Sequence, residues 1–241
     1  MKNIIFDIGG VLAEPKSGHW FITTNFWNIL DKNLIDEENL KMSLKKYLYL
    51  QTQKPKTEKD EHEMFSNYYY NVLKDINYPN ASMDIANKLA DDCVYNDDKF
   101  IFFDDDKPIL EELSKKYNLY IISDGWPSSF RVLNNKGIAI YFKGIIISSM
   151  FTTIKEEKLF DIFIAKYKDV NPSESLYIDD RRHILQKAKE YGFNLLLMDR
   201  YKKYSESEFE TINNMNDILE ALEWELLLGI LVKMKQIKME N

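Results

Sequence analysis

The sequence predicts an α/β protein, a doubly wound parallel sheet with an all-helical segment inserted behind its first strand. Three observations carry that prediction. Asn3 to Leu12 is an apolar run that stops at Asp7 and turns on Gly9-Gly10, which reads as a buried strand with a carboxylate at its C-terminal end. From Glu14 to about Lys99 strand signals nearly vanish and apolar residues recur at three and four. From Asp104 onward helix-like and strand-like stretches alternate, the pattern of parallel strands joined by right-handed crossovers.

The inserted stretch offers helices at Phe21 to Leu30, Glu37 to Leu50, Lys59 to Leu73 and Met83 to Val94. Polar breaks at Lys54-Pro55-Lys56 and Asn77-Tyr78-Pro79-Asn80 separate them, giving a small bundle. The expected division is therefore a helical cap over 14–100 and a core made of 1–13 and 101–241. Tyr68-Tyr69-Tyr70 and the Trp20 to Trp27 aromatics sit at helical spacing, which favours core over pocket lining. In the second part, Lys107 to Tyr117 is a helix with Pro108 in its first turn. Asn118 to Ser123 is a strand closing on Asp124-Gly125. Pro127 to Lys136 is a helix ended by Gly137. Gly144 to Ser148 is a strand, Leu159 to Tyr167 a helix, and Ser175 to Asp180 a strand with two carboxylates at its end. His183 to Tyr191 is a helix stopped by Gly192, and Leu195 to Met198 a last strand. From Asn216 a final helix opens with Asp217, Glu220 and Glu223 and closes with Lys233, Lys235 and Lys238, matching the dipole. Leu219, Leu222, Leu226, Ile230, Met234 and Ile237 give it an apolar face that predicts packing on the core or, as a homodimer, on a second subunit.

Composition excludes several classes. The 241 residues carry a formal net charge of -7, without the clustered basic face that nucleic-acid binding needs. The longest apolar run, Leu226 to Val232, falls far short of the roughly 20 residues of a membrane span. A single cysteine, Cys93, excludes a disulfide within the chain and reads as an incidental thiol. Met1-Lys2 leads straight into strand-like sequence rather than a signal peptide, so the expected location is cytoplasmic.

Right-handed crossovers bring the strand ends, hence Asp7, Ser123 and Asp179-Asp180, to one edge of the sheet. That set suits phosphoryl transfer to a carboxylate. Asp7 would attack phosphorus and form an aspartyl phosphate. Hard oxygen ligands from two acidic strand ends suit Mg²⁺. Ser123 and the amides after it would hold phosphate oxygens, and Lys155 would balance the remaining charge.

FDIGGVL, IISDG, a Lys before a KLF helix, and YIDDRRHILQKAKEYG, in that order, resemble the four motifs of the haloacid dehalogenase-like superfamily. The resemblance covers Lys2 to about Asp199, and the helical stretch falls where the superfamily inserts its C1-type caps. It implies Asp7 as nucleophile, Ser123, Asp124 and Gly125 as phosphate contacts with Gly10 beside them, and Lys155 as the stabilising cation. It also implies a Mg²⁺ held by Asp7, the Gly9 carbonyl and Asp180, supported by Asp179. Lys155 is favoured over Lys158, although the Pro usual beside that Lys is missing. Arg181 and Arg182 stand where a small residue commonly follows the acidic pair, and either reach a second anionic group or are solvated. His62 and His183 read as surface residues.

One departure bears on chemistry. In most phosphatases of the superfamily the residue two after the nucleophile is an Asp that serves as general acid and base, and here it is Gly9. That predicts weak turnover of ordinary monoesters or a preference for better leaving groups, such as anomeric sugar phosphates or acyl phosphates. Glu14 and His19 are the candidates to replace the missing group. The acidic pair argues against a true haloacid dehalogenase, which needs no metal. The expected function is a Mg²⁺-dependent phosphohydrolase of a small phosphorylated metabolite. The alternatives are a phosphometabolite- or partner-binding protein that keeps the fold, and a carbon-phosphorus bond hydrolase, for which no Lys after the first motif stands out.

Overall fold

A computed structural model describes residues 1–53 and 55–223 of the chain. In chain order the elements are β1 (Asn3–Phe6), β2 (Ala13–Pro15), α1 (Phe26–Ile29), α2 (Glu37–Lys46), α3 (Glu58–Asp75), α4 (Met83–Tyr95) and β3 (Phe100–Phe102). There follow α5 (Asp106–Ser114), β4 (Asn118–Ser123), α6 (Ser128–Asn135), β5 (Gly144–Ile147) and α7 (Leu159–Lys166). Last come β6 (Ser175–Asp179), α8 (Arg182–Glu190), β7 (Asn194–Met198) and β8 (Thr211–Ile212). The helix expected from Asn216 is present over 216–223. The rest of it, with the apolar face invoked for a homodimer, lies outside the described residues.

Six strands form one parallel sheet in the order β5-β4-β1-β6-β7-β8. The central strands are apolar at nearly every position because both faces are covered. Ile4 and Phe6 of β1 pack with Leu119, Ile121, Leu176 and Ile178 against Ile109, Leu110 and Leu113 of α5. Ile5, one residue out of phase, joins Tyr120, Ile122 and Tyr177 in the opposite layer, against Leu159, Phe160 and Phe163 of α7 and Ile184, Leu185 and Ala188 of α8. This is the doubly wound arrangement.

The helices between β2 and β3 enclose their own apolar cluster, in which Phe26, Leu44, Phe65, Tyr68, Tyr69 and Leu89 are buried. Their starts are set by sequence: Asp36 caps α2, Ser82 caps α4, and Thr57 with Asp60 forms a capping box on α3. Tyr68 and Tyr69 are wholly buried, with their hydroxyls donating to the carbonyls of Leu44 and Phe21, so these aromatics are core.

Several expectations need correction. Phe21 to Leu30 is helical only over Phe26–Ile29; ahead of it the Asn25 backbone N–H and side-chain amide both donate to the Asp92 carboxylate of α4 and Thr24 donates to the Asp98 carbonyl, so tertiary partners take this stretch out of a helix. The ends of the insert, expected to be free of strands, pair as an antiparallel ribbon in which Ala13 faces Phe102 and Pro15 faces Phe100. β8 adds a two-residue edge beside β7 that the sequence does not announce. Among the described residues no helix is long and apolar enough to cross a membrane.

Three polar links tie together segments that are distant in the sequence. Glu61 of α3 is fully buried and accepts hydrogen bonds from the Ser128 backbone N–H (2.8 Å) and hydroxyl (2.6 Å) at the start of α6. Burial pushes its carboxyl above the usual range while nearby Lys99 pulls it back. Arg131 of α6 reaches back to Glu58, Asp97 and the Val94 carbonyl. On the other side of the molecule Arg200 donates to the Val11 carbonyl (2.8 and 3.0 Å), to Asp105 (3.0 Å) and to buried Asp106 (2.9 Å), and stacks on Phe103. It ties the turn after β1 to the start of α5. Arg200→Ala leaves Asp106 Oδ1 and the Val11 carbonyl without their cation, Asp106 Oδ2 keeping only the Phe103 N–H, and is expected to lower unfolding free energy by about 3–5 kcal/mol in urea melts.

Candidate active site

Register places the candidate residues side by side. Phe6 pairs with Ile121 of β4 and with Ile178 of β6, so Asp7, Ser123 and Asp179 finish neighbouring strands at one edge. The Asp7 backbone N–H donates to the Ile178 carbonyl (2.9 Å), which extends the ladder by one residue and fixes where its carboxylate starts. Asp7, Ser123 and Asp179 are all buried.

Lys155 enters from the segment between β5 and α7. Its backbone N–H donates to the Asp124 carboxylate (3.0 Å). Its side chain is fully buried, with Nζ 2.6 Å from Asp179 Oδ2 and 3.0 Å from Asp7 Oδ2. Lys158 lies exposed before α7; Lys155 is the lysine that reaches the cluster. Tyr177 donates its hydroxyl to Asp179 Oδ2 (2.7 Å), and the Arg181 backbone N–H donates to Asp179 Oδ1 (2.9 Å). The Arg181 guanidinium reaches Asp124 Oδ2 (3.1 Å). Asp179 is thus saturated. By contrast Asp7 Oδ1 is buried with no hydrogen-bond partner.

The charges do not balance by themselves. Burial would raise the Asp179 carboxyl, but Lys155 and Arg181 outweigh it and hold it below the usual range. Burial alone would lower the Lys155 ammonium, and Asp179 and Asp7 keep it above its ordinary value. Burial pushes Asp7 up, with Lys155 opposing. Burial, then Asp179 and Asp7, push Asp180 up to about 7. Four carboxylates (Asp7, Asp124, Asp179, Asp180) face two cations (Lys155, Arg181). Asp7, Asp179 and Asp180 each bring an oxygen within 4.8 Å of the others. That is an acidic cluster able to take a divalent cation.

The turn after Asp7 is shaped by what it must clear. Gly10 has φ +71, and a Cβ there would lie 2.4 Å from Asp180 Oδ2; both backbone and space demand glycine. A Cβ on Gly9 would lie 3.1 Å from Cζ2 of Trp20. The Gly125 N–H donates to Ser148 Oγ (3.1 Å), and the Asp124 carboxylate is spent on Lys155 and Arg181. Above these residues opens a cavity of about 460 Å³. Its floor includes Asp7, Ser123, Asp180 and Arg181, and its walls Trp20, Phe100, Trp126, Glu14, Tyr201 and Lys203.

Of the residues proposed to replace the missing acid, Glu14 lines the cavity and accepts from the Tyr201 hydroxyl. His19 is exposed and accepts the Phe21 N–H on Nδ1. Arg181 is half-buried in the site, whereas Arg182 is exposed over the Tyr204 ring. His62, expected at the surface, is half-buried against Asp91 and stacks on Tyr95; His183 is exposed beside Glu156. Sequence reasoning missed Tyr177 and Ser148, and its preference for core at Trp20 is corrected, because Trp20 is exposed and lines the cavity. Tyr177 carried a signal, since it lies two residues before Asp179 on the same face of β6. The other two are brought in by tertiary packing alone.

A parallel sheet with a carboxylate cluster at its C-terminal edge and a lysine locked between two aspartates defines a doubly wound α/β protein whose site is built on carboxylates. The chain belongs to the haloacid dehalogenase-like hydrolases, whose family model matches residues 29–198. Sequence comparison with curated proteins gives no match. Solved structures share the fold at low identity. A HAD hydrolase of Bacillus subtilis bound to magnesium has a TM-score of 0.68 at 15% identity, covering 92% of this chain and 98% of its own. A 2-haloacid dehalogenase of Pseudomonas syringae pv. Tomato has 0.64 at 18%, with the same coverage. A HAD phosphatase of Thermococcus onnurineus has 0.60 at 18%, again covering 92% and 98%.

Two stability predictions follow from this packing. Lys155→Met strips two buried carboxylates of their shared partner and should cost about 3–5 kcal/mol in denaturant titration at neutral pH. Gly137, at φ +66, has open space where a Cβ would go. Gly137→Ala should therefore lose only the left-handed backbone penalty, about 1–2 kcal/mol. Gly10→Ala should lose more, because it meets Asp180 as well; equal losses would refute the steric account of Gly10.

Proposed function

We propose that the protein is a Mg²⁺-dependent phosphohydrolase acting on a small phosphorylated metabolite through an aspartyl phosphate on Asp7. The observation that carries this reading is the unpartnered Oδ1 of Asp7, held at the cavity floor while its other oxygen is pinned by Lys155. A carboxylate fixed through one oxygen presents the other for attack with little reorganisation. Lys155 opposes the upward push that burial exerts on the Asp7 carboxyl. Ser123 and the backbone after it are the candidate donors to phosphate oxygens. The Asp124 carboxylate acts as a bracket between Lys155 and Arg181. Arg181 offers a second cation at the floor.

The residues fit a divalent metal. Asp7, Asp180 and the Gly9 carbonyl would hold it, with Asp179 supporting, and the excess of carboxylates over cations favours a hard cation with oxygen ligands. When bound, Mg²⁺ supplies charge neutralisation between carboxylate and phosphate. The helical segment 14–100 would act as a cap, since its Glu14, Trp20 and Phe100 wall the cavity. With Gly9 in the acid's place, the preferred substrates have leaving groups that depart without protonation. The same replacement supports the second reading, a phosphometabolite-binding protein with little turnover.

The test is phosphate release from acyl, anomeric sugar, aryl and alkyl phosphates with and without Mg²⁺. Release should require Mg²⁺, fall to background in Asp7→Asn, and need more Mg²⁺ in Asp180→Asn. Absence of release from every substrate, with phosphate-analogue binding retained, would replace the enzyme by the binding protein. Glu14→Gln and His19→Asn should leave the pH–rate profile unshifted, because Glu14 is engaged by Tyr201 and His19 does not line the cavity.

A further inference from the structure

Gly9 does not leave a gap. The benzo edge of Trp20 occupies the space into which a side chain at position 9 would grow, with Cζ2 at 3.1 Å and Cη2 at 3.4 Å from where its Cβ would stand. A Cβ there requires the indole to give by a few tenths of an ångström. Trp20 is placed by Phe100, which it meets edge to face at 5.8 Å, and Phe100 is fixed in turn by pairing with Pro15. Trp126 closes the same wall and is itself anchored on Phe65 and Phe21 at 5.2 and 6.4 Å. The cavity therefore pairs a charged floor with a wall of three aromatic rings where a proton donor would otherwise stand.

We propose that Trp20 is a specificity-determining residue and that the site takes phosphate esters of planar, weakly basic hydroxyls, aryl phosphates being the simplest class. The inference rests on the phosphohydrolase reading above. Two independent requirements meet in this substrate. A phenol ionises near pH 10, as tyrosine does, so its oxygen leaves as an anion without a general acid, whereas an alkoxide is far more basic. An aromatic ring also finds edge and face partners in Trp20, Phe100 and Trp126. In the first step a bond forms between an Asp7 oxygen and phosphorus while the bond from phosphorus to the aryl oxygen breaks. The electron pair departs with the aryloxide, which takes its proton from water. In the second step water adds to phosphorus, the bond to Asp7 breaks and returns the carboxylate, and the water's proton passes to solvent.

The experiment compares phenyl phosphate, acetyl phosphate and glycerol phosphate as substrates of the full chain, with Trp20→Ala, Trp20→Phe and Gly9→Asp made singly and Gly9→Asp combined with Trp20→Ala. Acetyl phosphate has a good leaving group and no ring, and glycerol phosphate has neither advantage. Phenyl phosphate should be hydrolysed far faster than glycerol phosphate. Trp20→Ala should raise the KM for phenyl phosphate relative to that for acetyl phosphate by about 2- to 12-fold, the scale of one aromatic pair, and Trp20→Phe should restore most of it. Gly9→Asp should gain glycerol phosphate turnover only beside Trp20→Ala. In the Asp7→Asn background, phenyl phosphate should change tryptophan fluorescence, and Trp20→Phe should reduce that change. An unchanged KM ratio in Trp20→Ala, with Mg²⁺-dependent release intact, overturns the role of Trp20 and leaves the phosphohydrolase standing. Loss of release from all three substrates in the unmodified chain overturns the phosphohydrolase instead. Binding then decides the inference: tighter binding of phenyl than of acetyl phosphate retains it, and equal binding rejects it.

Discussion

The ammonium of Lys155, buried between Asp7 and Asp179, is the contact on which the edge of the sheet depends. An isolated ammonium or carboxylate in this interior would cost several kcal/mol. Two adjacent carboxylates would repel each other besides. Together the three groups are tolerable only in one geometry, and that geometry spans β1, β6 and the segment leading into α7. Tyr177 and the Arg181 backbone complete the shell around Asp179, so this carboxylate has no freedom left. Asp7 keeps one unpaired oxygen. The asymmetry between the two aspartates separates a carboxylate bonded through both oxygens from one with an oxygen left unbonded, although both end neighbouring strands.

Much of this was legible in the sequence, for physical reasons. β1, β4 and β6 are covered on both faces, so they read as unbroken apolar runs, and each run ends at Asp or Ser because the sheet edge is where polar atoms find partners. Lys155 was placed by its order along the chain; its burial is invisible to sequence. The ribbon of β2 and β3 escaped notice because each strand has three residues and the partners lie far apart in the chain. The first helix of the insert shrank because the Asn25 backbone N–H goes to the Asp92 carboxylate of α4, a partner that lies far off in the sequence. Ser148 carries no local signal, and the spacing that favoured core for Trp20 misleads because its segment is not helical. Their roles are set by what packs above Gly9 and beside Gly125.

The wall and floor of the cavity follow different rules. The floor is polar and rigid, held by hydrogen bonds among residues of the sheet edge. The wall comes from the insert and the ribbon, with aromatic rings that hold one another by edge contacts. Glu14 and Tyr201 close its rim through a hydrogen bond between segments distant in sequence. Changes to the wall can therefore alter what enters without disturbing the aspartate cluster, because no wall residue hydrogen-bonds to Asp7 or Asp179.

The link between Glu61 and Ser128 has a consequence for modularity. Glu61 belongs to the insert, yet it serves as the missing cap of α6, the helix that follows the Ser123 strand. Lys99 and Arg131 complete the same joint from opposite sides. The helical segment is therefore not an interchangeable part. A chimaera that grafts a foreign insert between β2 and β3 would leave the first turn of α6 uncapped and Arg131 without its acids, unless residues 128 and 131 are exchanged with it. Recombination among relatives must carry the pieces of this joint together.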